Sequence, residues 1–306
     1  MAGWSEDDVG DLTGRTALVT GANSGIGWDT ARVLAERGAH VVLACRNRTK
    51  ADDARARILA GASGASVEVL DLDVSEPDSV RSAAAAFRAA HERLDLLVNN
   101  AGIMAVPLRR NSRGWELQLA TNHLGHFLLT AELADRLLAT PGSRVVNVAS
   151  LAHRGGRIAF DDLEASKRYA PMARYCQSKL ANLLFSSELQ RRLAAAGAPT
   201  IAVSAHPGLS RTNLAQEPAN AGSRLLQKAR PLYERMIQSS AMGALPTLRA
   251  AVDPSARGDD YFGPGGFGEY GGHPARARRS ARSQDRSLAA RLWDVSASLT
   301  GASYPF

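Results

Sequence analysis

The sequence lacks the features that mark secreted, membrane-spanning and metal-thiolate proteins. Its two cysteines, Cys45 and Cys176, form no redox or metal spacing, and we expect both to be buried thiols in a reducing compartment. No apolar run approaches the ~20 residues that span a bilayer, since polar residues interrupt even the segment 117–133. Acidic residues occupy positions 6–8 and 11, where a signal peptide would be basic and then apolar. These absences predict a cytoplasmic protein without a membrane span.

The composition is that of an ordinary globular protein with a modest basic surplus. The 306 residues are 45% apolar and 22% charged, and 37 basic against 30 acidic residues give a net charge of +7. Much of the surplus lies near the C-terminus, where Ala289, Leu292, Trp293 and Val295 recur at helical spacing. The arginines of this region are Arg276, Arg278, Arg279, Arg282, Arg286 and Arg291. No nucleic-acid motif accompanies them, so we expect an amphipathic helix with a solvated arginine face and no nucleic-acid partner.

The segment 15–38 predicts a strand, a glycine-rich turn and a helix. The apolar run 17–19 is followed by Gly21, Gly25 and Gly27, and Gly38 marks the end of the helix. Glycines there let backbone N–H groups and a helix N-terminus approach a pyrophosphate. A glycine-rich turn alone is often only a turn, and this spacing differs from G-x-G-x-x-G. The turn is a dinucleotide site only if the rest of the chain agrees.

Strands and helices alternate along the following two hundred residues. We predict further strands at 40–45, 66–70, 94–98, 144–149 and 200–205. Helices are predicted at 49–59, 115–138 and 172–193, and another helix follows the strand 66–70 and ends at 87. Ser75 begins a capping-box pattern. This alternation predicts an α/β fold: a single doubly wound, Rossmann-like domain with a mostly parallel sheet and helices on both faces. We assign 14–262 to the dinucleotide-binding catalytic domain, 209–245 to a cover over the substrate site, and 263–306 to a C-terminal extension of the same domain.

Polar residues follow the predicted strands, at the edge where a doubly wound sheet binds its ligand. They are Gly21, Arg46, Asp73, Asn99, Ser150 and Pro207. Downstream, Tyr175 and Lys179 are four residues apart and so share a helix face. An ammonium beside a phenol favours the phenolate, which predicts a proton-exchanging pair, and Ser150 could hydrogen-bond the same substrate oxygen. The histidines at 123, 126, 153 and 206 show no ligand spacing, so no metal site is predicted.

With these motifs together, residues 14–262 resemble the short-chain dehydrogenase/reductase family. Thr20–Gly27 is similar to its cofactor loop, Asn99–Gly102 to its NNAG motif, Tyr175–Lys179 to its YxxxK, and 207–212 to its PGxxxT. The resemblance implies that Tyr175 is the acid/base, that Lys179 binds the nicotinamide ribose and lowers the tyrosine pKa, and that Ser150 orients the carbonyl. It also implies that Asn122 belongs to a proton relay. The implied cofactor contacts are Gly21, Asn23, Ser24, Gly25, Ile26, Gly27, Arg46, Asp73, Val74, Asn99, Ala101, Gly102, Tyr175, Lys179, Pro207, Gly208 and Thr212.

Within that family, the segments 122–130, 147–158 and 175–185 resemble the retinol-dehydrogenase-like branch and its bacterial relatives. Two features depart from the branch. Ala149 stands where many members have a second serine, and the membrane anchor of animal members is not seen. Asp73 has two interpretations, a contact to the adenine amino group or a helix cap, and Asp71 offers a second register.

The residues after the second strand indicate the cofactor. NAD-preferring sites place a carboxylate there, whereas this chain has Arg46, Asn47 and Arg48. We therefore expect NADP(H), with NAD(H) also usable, and a small-molecule carbonyl or alcohol substrate. Apolar residues of the cover favour a lipophilic one; they are Leu209, Leu214, Leu225, Leu226, Leu232, Met236 and Ile237. The alternative is a catalytically silent nucleotide-binding scaffold on the same fold. A homo-oligomer is compatible with the sequence.

Overall fold

The computed structural model describes residues 3–210 and 238–306, and its centre is an eight-stranded sheet. The strands are β1 (Thr16–Thr20), β2 (His40–Cys45), β3 (Ser66–Asp71), β4 (Leu96–Asn99), β5 (Arg144–Val148), β6 (Ile201–Ala205), β7 (Tyr261–Pro264) and β8 (Pro274–Arg276). Their spatial order is β3-β2-β1-β4-β5-β6-β7-β8. Neighbours are parallel except β7 and β8, which are antiparallel. The predicted fold class is therefore confirmed.

The central strands are apolar throughout because helices cover both faces of the sheet. Alternate residues enter two separate cores: Val19 and Leu43 lie in one, Leu18 and Val42 in the other, and all four are fully buried. Burying such a side chain contributes roughly 1.5–3 kcal/mol. Register is therefore fixed, since a shift by one residue would exchange the two faces.

Each core is closed by its own helices. Gly25–Glu36, Arg48–Gly61 and Ser240–Val252 contribute to the first core. Pro77–Ala90, Gly125–Glu132, Pro171–Ala195 and Arg286–Thr300 contribute to the second. A shorter helix at Ala134–Leu138 precedes β5, and short 3-10 turns lie at Glu6–Asp8, Leu151–Gly155, Phe267–Glu269 and Ala281–Gln284. No helix among residues 3–210 and 238–306 has the length and apolar character that a bilayer crossing requires.

Four local predictions need correction. The helix predicted over 115–138 is divided into Leu117–Leu119, a π turn at Ala120–Leu124, Gly125–Glu132 and Ala134–Leu138. Gly125 faces the backbone oxygen of Val74 so closely that a side chain would collide with it.

The Ser75 hydroxyl donates to Asp73 Oδ1 at 2.6 Å, and Glu76, not Ser75, precedes the next helix as its N-cap. Cys176 is only partly buried. Strands β7 and β8 escaped prediction because they are short and glycine-flanked.

The predicted cover and arginine face also differ from the structure. Residues 211–237 lie outside the described residues, but 240–245 begin the helix Ser240–Val252, whose Ala244 and Leu248 are fully buried. That part of the predicted cover therefore belongs to the core. Several C-terminal arginines are not simply solvated: Arg276 pairs with Asp260 at 3.0 Å and Arg291 stacks 4.0 Å from the Phe160 ring centroid.

Candidate active site

The glycine-rich turn connects β1 to the helix Gly25–Glu36. Gly21 and Gly25 have φ of +66° and +56°, values that side chains disfavour. A Cβ on Gly27 would lie 2.6 Å from Gly21 O and would also collide with Asn100 Nδ2. Ser24 makes no side-chain cap bond to the helix start. The glycines thus let the backbone of the turn pack closely around the N-terminus of the helix. A dinucleotide pyrophosphate requires such a close approach of backbone N–H groups.

Thr20 joins this turn to the loop after β4. Its Oγ1 accepts hydrogen bonds from the backbone N–H groups of Asn100 and Ala101, both at 2.9 Å. Asn100 Nδ2 donates to Thr20 O at 2.8 Å. Asn99, a predicted cofactor contact, has a buried side chain whose Nδ2 donates to Asn147 Oδ1 at 2.9 Å. Its side chain therefore holds β4 to β5.

The helix Pro171–Ala195 carries Tyr175 and Lys179 on one buried face. Lys179 Nζ donates to Val148 O at 3.0 Å and lies 5.9 Å from the Tyr175 ring centroid. Burial lowers the pKa of Lys179 to about 8. An ammonium has three N–H donors, and among the described residues Lys179 Nζ bonds Val148 O, so its other N–H groups can bind a further oxygen.

The pKa of Tyr175 is shifted in the opposite direction from the expected one. Burial raises its pKa, and the nearby Ser150 hydroxyl opposes that rise only in part. The spacing of Tyr175 and Lys179 predicts the nearby ammonium, but it does not indicate how much solvent the phenol loses on folding. A raised pKa favours the protonated phenol at neutral pH.

Asn122 lies in the π turn and connects three parts of the site. Its Nδ2 donates to Ser178 Oγ at 2.8 Å and to Ile103 O at 3.0 Å, and its Oδ1 accepts from Ile103 N at 2.8 Å. A Cβ on Gly102 would lie 3.1 Å from Asn122 Oδ1 and 3.4 Å from Lys179 Nζ. The glycine lets the loop after β4 approach both side chains, so the structure brings the predicted residues of three elements together.

Arg46 and Asp73 meet beyond the ends of β2 and β3. Arg46 Nη1 lies 3.6 Å from Asp73 Oδ2, and 73% of the arginine side chain is exposed. Asp73 Oδ1 accepts from Ser75 N at 3.0 Å, so one carboxylate oxygen holds a turn while the other faces Arg46. Arg48 is engaged elsewhere, with Asp52 at 3.0 Å. Of the two arginines after β2, Arg46 is therefore the one that lies beside Asp73.

The loop after β6 completes this edge. Gly208 has φ of +65°, and its N–H donates to His206 Nδ1 at 3.2 Å. Pro207 O accepts from Ser210 Oγ at 2.6 Å. Thr212 lies outside the described residues.

The four histidines that sequence reasoning set aside have separate partners. His123 bonds Ser296 Oγ at 2.8 Å and His126 bonds Thr20 Oγ1 at 2.9 Å. His153 bonds Ser150 O at 2.7 Å, whereas His206 bonds Glu269 at 3.2 Å. Since each ring serves a different contact, these four do not form one ligand set.

His153 is a neighbour of the site that the sequence did not reveal. Its Nδ1–H donates to the carbonyl of Ser150, and its Nε2 accepts from Ser280 N at 3.3 Å. Arg282 of the same C-terminal segment donates to Gly156 O at 3.2 Å. The partner residues are more than a hundred positions apart in the chain, so no local motif could have indicated them.

Comparison with known proteins identifies the family. The family model described as short chain dehydrogenase matches residues 15–221. Human retinol dehydrogenase 12 is 41% identical over 95% of this chain and 87% of its own length, and human retinol dehydrogenase 13 is 38% identical over 96% and 87%.

Solved structures agree. A crystal structure of a protein from Mycobacterium paratuberculosis is 44% identical with a TM-score of 0.83 and covers 100% of both chains. A Beutenbergia cavernae protein solved with NADP bound at low occupancy is 25% identical, with a TM-score of 0.62 over 79% of this chain and 91% of its own. On the breadth of these matches, the chain belongs to the short-chain dehydrogenase/reductase family, which binds NAD(P), and is an oxidoreductase acting on CH–OH or C=O groups.

Proposed function

We propose that this protein is an NADP(H)-dependent oxidoreductase that moves a hydride between nicotinamide and a lipophilic carbonyl or alcohol substrate, with Tyr175 as acid/base. The observation that carries the proposal is the grouping of two buried side chains, Tyr175 and Lys179, with the partly buried Ser150. Gly102 lies beside Lys179, in the loop that Thr20 joins to the glycine-rich turn. A phenol, a hydroxyl and an ammonium grouped in this way can bind an oxygen and exchange its proton. A silent scaffold would have no need to keep all three.

The bound cofactor would supply or accept the hydride, and the chain's own residues would manage the oxygen and its proton. Tyr175 keeps its proton because burial raises its pKa, so it can donate that proton to the oxygen of a carbonyl as the oxygen gains charge. The Ser150 hydroxyl orients the same oxygen. Lys179 holds a ribose hydroxyl with the N–H groups that do not bond Val148. Asn122 holds the loop after β4 against this helix.

The test replaces the phenol and leaves the ring. Tyr175→Phe should lower kcat by at least a hundredfold, because proton transfer by a positioned group contributes 10²–10⁴-fold. The dissociation constant for NADPH should stay within about twofold. Tyr261→Phe is the matched control, since Tyr261 is equally buried and its hydroxyl has no hydrogen-bond partner among the described residues. A Tyr175→Phe protein with wild-type kcat would refute the proposed acid/base.

The preference for NADP(H) rests on Arg46. Its guanidinium is exposed beyond the end of β2 and faces Asp73 at 3.6 Å, which supports a fork of hydrogen bonds to a 2′-phosphate. Such bonds contribute about 1.5–3 kcal/mol, or roughly ten- to hundredfold in selectivity. Arginine can also stack on adenine without contacting the phosphate. Only contact with the 2′-phosphate would make the enzyme select NADPH over NADH, so this selectivity distinguishes the two roles.

The cofactor test compares kcat/KM for NADPH and NADH. Arg46→Asp should reverse or abolish the preference for NADPH, whereas Arg48→Asp should leave it nearly unchanged, because Arg48 is held by Asp52. Equal kcat/KM with NADPH and NADH in the wild type would mean that Arg46 does not select the cofactor.

The proposed lipophilic substrate is supported by the relatives, which are named for retinol, a bulky apolar alcohol. Leu209, at the start of the predicted cover, is partly buried beside Tyr270, whose carbonyl accepts from Leu209 N at 2.8 Å. The test is a panel of retinoids, steroids, long-chain aldehydes and short polar ketones. We expect kcat/KM to increase with the apolar surface area of the substrate. Highest efficiency on the short polar ketones would contradict this substrate class.

A further inference from the structure

Three metal-ligating side chains converge at the other end of the sheet from the candidate active site. His40 begins β2, Glu68 lies in β3, and His91 follows the helix Pro77–Ala90 as its C-cap. One ligand atom from each residue lies within 4.8 Å of the other two. His91 Nε2 is 2.7 Å and His40 Nε2 is 3.8 Å from Glu68 Oε1. The strand register pairs His40 with Ser66, which places Glu68 two residues along on the same face.

The hydrogen bonds within this cluster leave one donor atom unexplained. His40 Nδ1 bonds Ser66 Oγ at 2.7 Å, whereas His40 Nε2 is buried and has no hydrogen-bond partner among the described residues. A buried polar nitrogen without a partner costs about 1–3 kcal/mol. A simple ion pair of His91 with Glu68 accounts for two of the three residues and leaves His40 Nε2 unsatisfied.

The geometry suits a small divalent ion. Zinc binds imidazole nitrogen at about 2.0–2.1 Å and carboxylate oxygen at about 2.0–2.2 Å, so tetrahedral ligand atoms stand roughly 3.3 Å apart. The separations of 2.7 and 3.8 Å from Glu68 Oε1 bracket that value, and all three ligand atoms lie within 4.8 Å of one another. Ser66 is already placed to accept the second ring N–H of His40, as hydrogen-bond partners of metal-bound histidines do.

The backbone around the cluster is well anchored. Arg136 Nε donates to His91 O at 2.9 Å, which fixes the residue at the helix end. The His91 ring packs 4.5 Å from Phe87 and 5.2 Å from His40, measured between ring centroids. The side chains are 29%, 43% and 14% exposed for His40, Glu68 and His91, so an ion can reach them and water can complete its coordination.

We propose that His40, Glu68 and His91 form a binding site for a divalent transition metal of the zinc class, with water as the remaining ligand. Two imidazoles and one carboxylate are ligands that Zn²⁺ accepts, and the site would tie β2, β3 and the helix Pro77–Ala90 together. It would stabilise the fold without taking part in hydride transfer, because it lies at the amino ends of the strands, whereas the candidate active site lies at their carboxyl ends.

The test uses untagged, chelator-stripped full-length protein titrated with Zn²⁺ by calorimetry. We expect one equivalent to bind and the Tm to rise. His40→Gln and Glu68→Gln should each weaken binding by at least tenfold, and Ser66→Ala, which keeps all three ligands, should weaken it by less. His273→Gln, at a histidine that bonds Trp4 O far from the cluster, should bind as the wild type does.

Two further readouts separate this site from the candidate active site. Turnover of a verified substrate by the stripped protein should match that of the zinc-loaded protein at a temperature where both are folded. Zinc binding that is absent, or that His40→Gln and Glu68→Gln leave unchanged, would overturn the proposal. If a Gln variant does not fold, Ser66→Ala decides: wild-type affinity in that variant counts against the site.

Discussion

The glycine half of the candidate active site, residues 20–27 and 99–102, is built from backbone, whereas the tyrosine half, residues 148–156 and 175–182, is built from buried polar side chains. In the first, Thr20 and the glycines bring main chains into direct contact. In the second, Lys179 Nζ and Asn182 Nδ2 both donate to the carbonyl of Val148 at 3.0 Å. The first half is therefore vulnerable to added volume, and the second half carries the free-energy cost of burying charge.

The largest expected effect is the removal of that cost. Burial lowers the pKa of Lys179 from 10.5 to about 8, a difference worth roughly 3 kcal/mol at about 1.36 kcal/mol per pKa unit. Lys179→Met should therefore raise the free energy of unfolding of the cofactor-free protein by up to about 3 kcal/mol at pH 7. Val148 O keeps Asn182 as a donor. Urea unfolding of both proteins measures the difference.

The pH dependence tests the cause of this effect. Below pH 8 the lysine is charged in both the folded and the unfolded wild type, so the full cost is present. Between pH 8 and 10.5 the folded state has lost the proton that the unfolded state still holds, so wild-type stability rises with pH. The gain from Lys179→Met should shrink over that window. Lys167→Met, at an exposed lysine paired with Asp161, should change stability little and leave its pH dependence between pH 8 and 10.5 unaltered.

The second prediction adds a methyl group to the glycine half. Gly27→Ala places a Cβ 2.6 Å from Gly21 O and against Asn100 Nδ2, so we expect a loss of about 1–3 kcal/mol in the free energy of unfolding. The dissociation constant for NADPH should rise as the turn is displaced. Gly61→Ala is the control, because a Cβ there meets nothing within 4 Å. Equal stability of the two variants would mean that the turn tolerates side chains.

The two halves also differ in how much the sequence could predict. The glycine half is encoded locally: three glycines within seven residues after an apolar strand predict a close approach of backbones, and the structure has it. Arg46 and Asp73 could be placed by the strands that precede them. The direction of the Tyr175 pKa could not be predicted, because spacing shows which groups are neighbours but not how much water they lose.

Support for the tyrosine half comes from distant segments. His153 bonds a residue of the C-terminal segment, and β8, with the helix Arg286–Thr300, packs on the same sheet and core. These contacts depend on tertiary placement and have no periodic or motif signal. For the same reason, the sequence predicts a solvated arginine face, whereas Arg276 and Arg279 pair with Asp260 and Asp259.

The smallest expected effect tests whether this distant support reaches the candidate chemistry. Burial lowers the pKa of His153 to about 4, so the ring is neutral above that pH, with Nδ1–H on the Ser150 carbonyl and Nε2 accepting from Ser280 N. Losing one neutral hydrogen bond costs about 0.5–1.5 kcal/mol, which corresponds to a two- to roughly tenfold fall in kcat if Ser150 shifts. His153→Ala should show that fall with an unchanged dissociation constant for NADPH.

The control is His123→Ala. His123 is equally buried and bonds Ser296 of the helix Arg286–Thr300, so this variant should lose stability but keep its kcat. The same loss of kcat in both variants would indicate general destabilisation, and the C-terminal segment would then have no part in positioning Ser150.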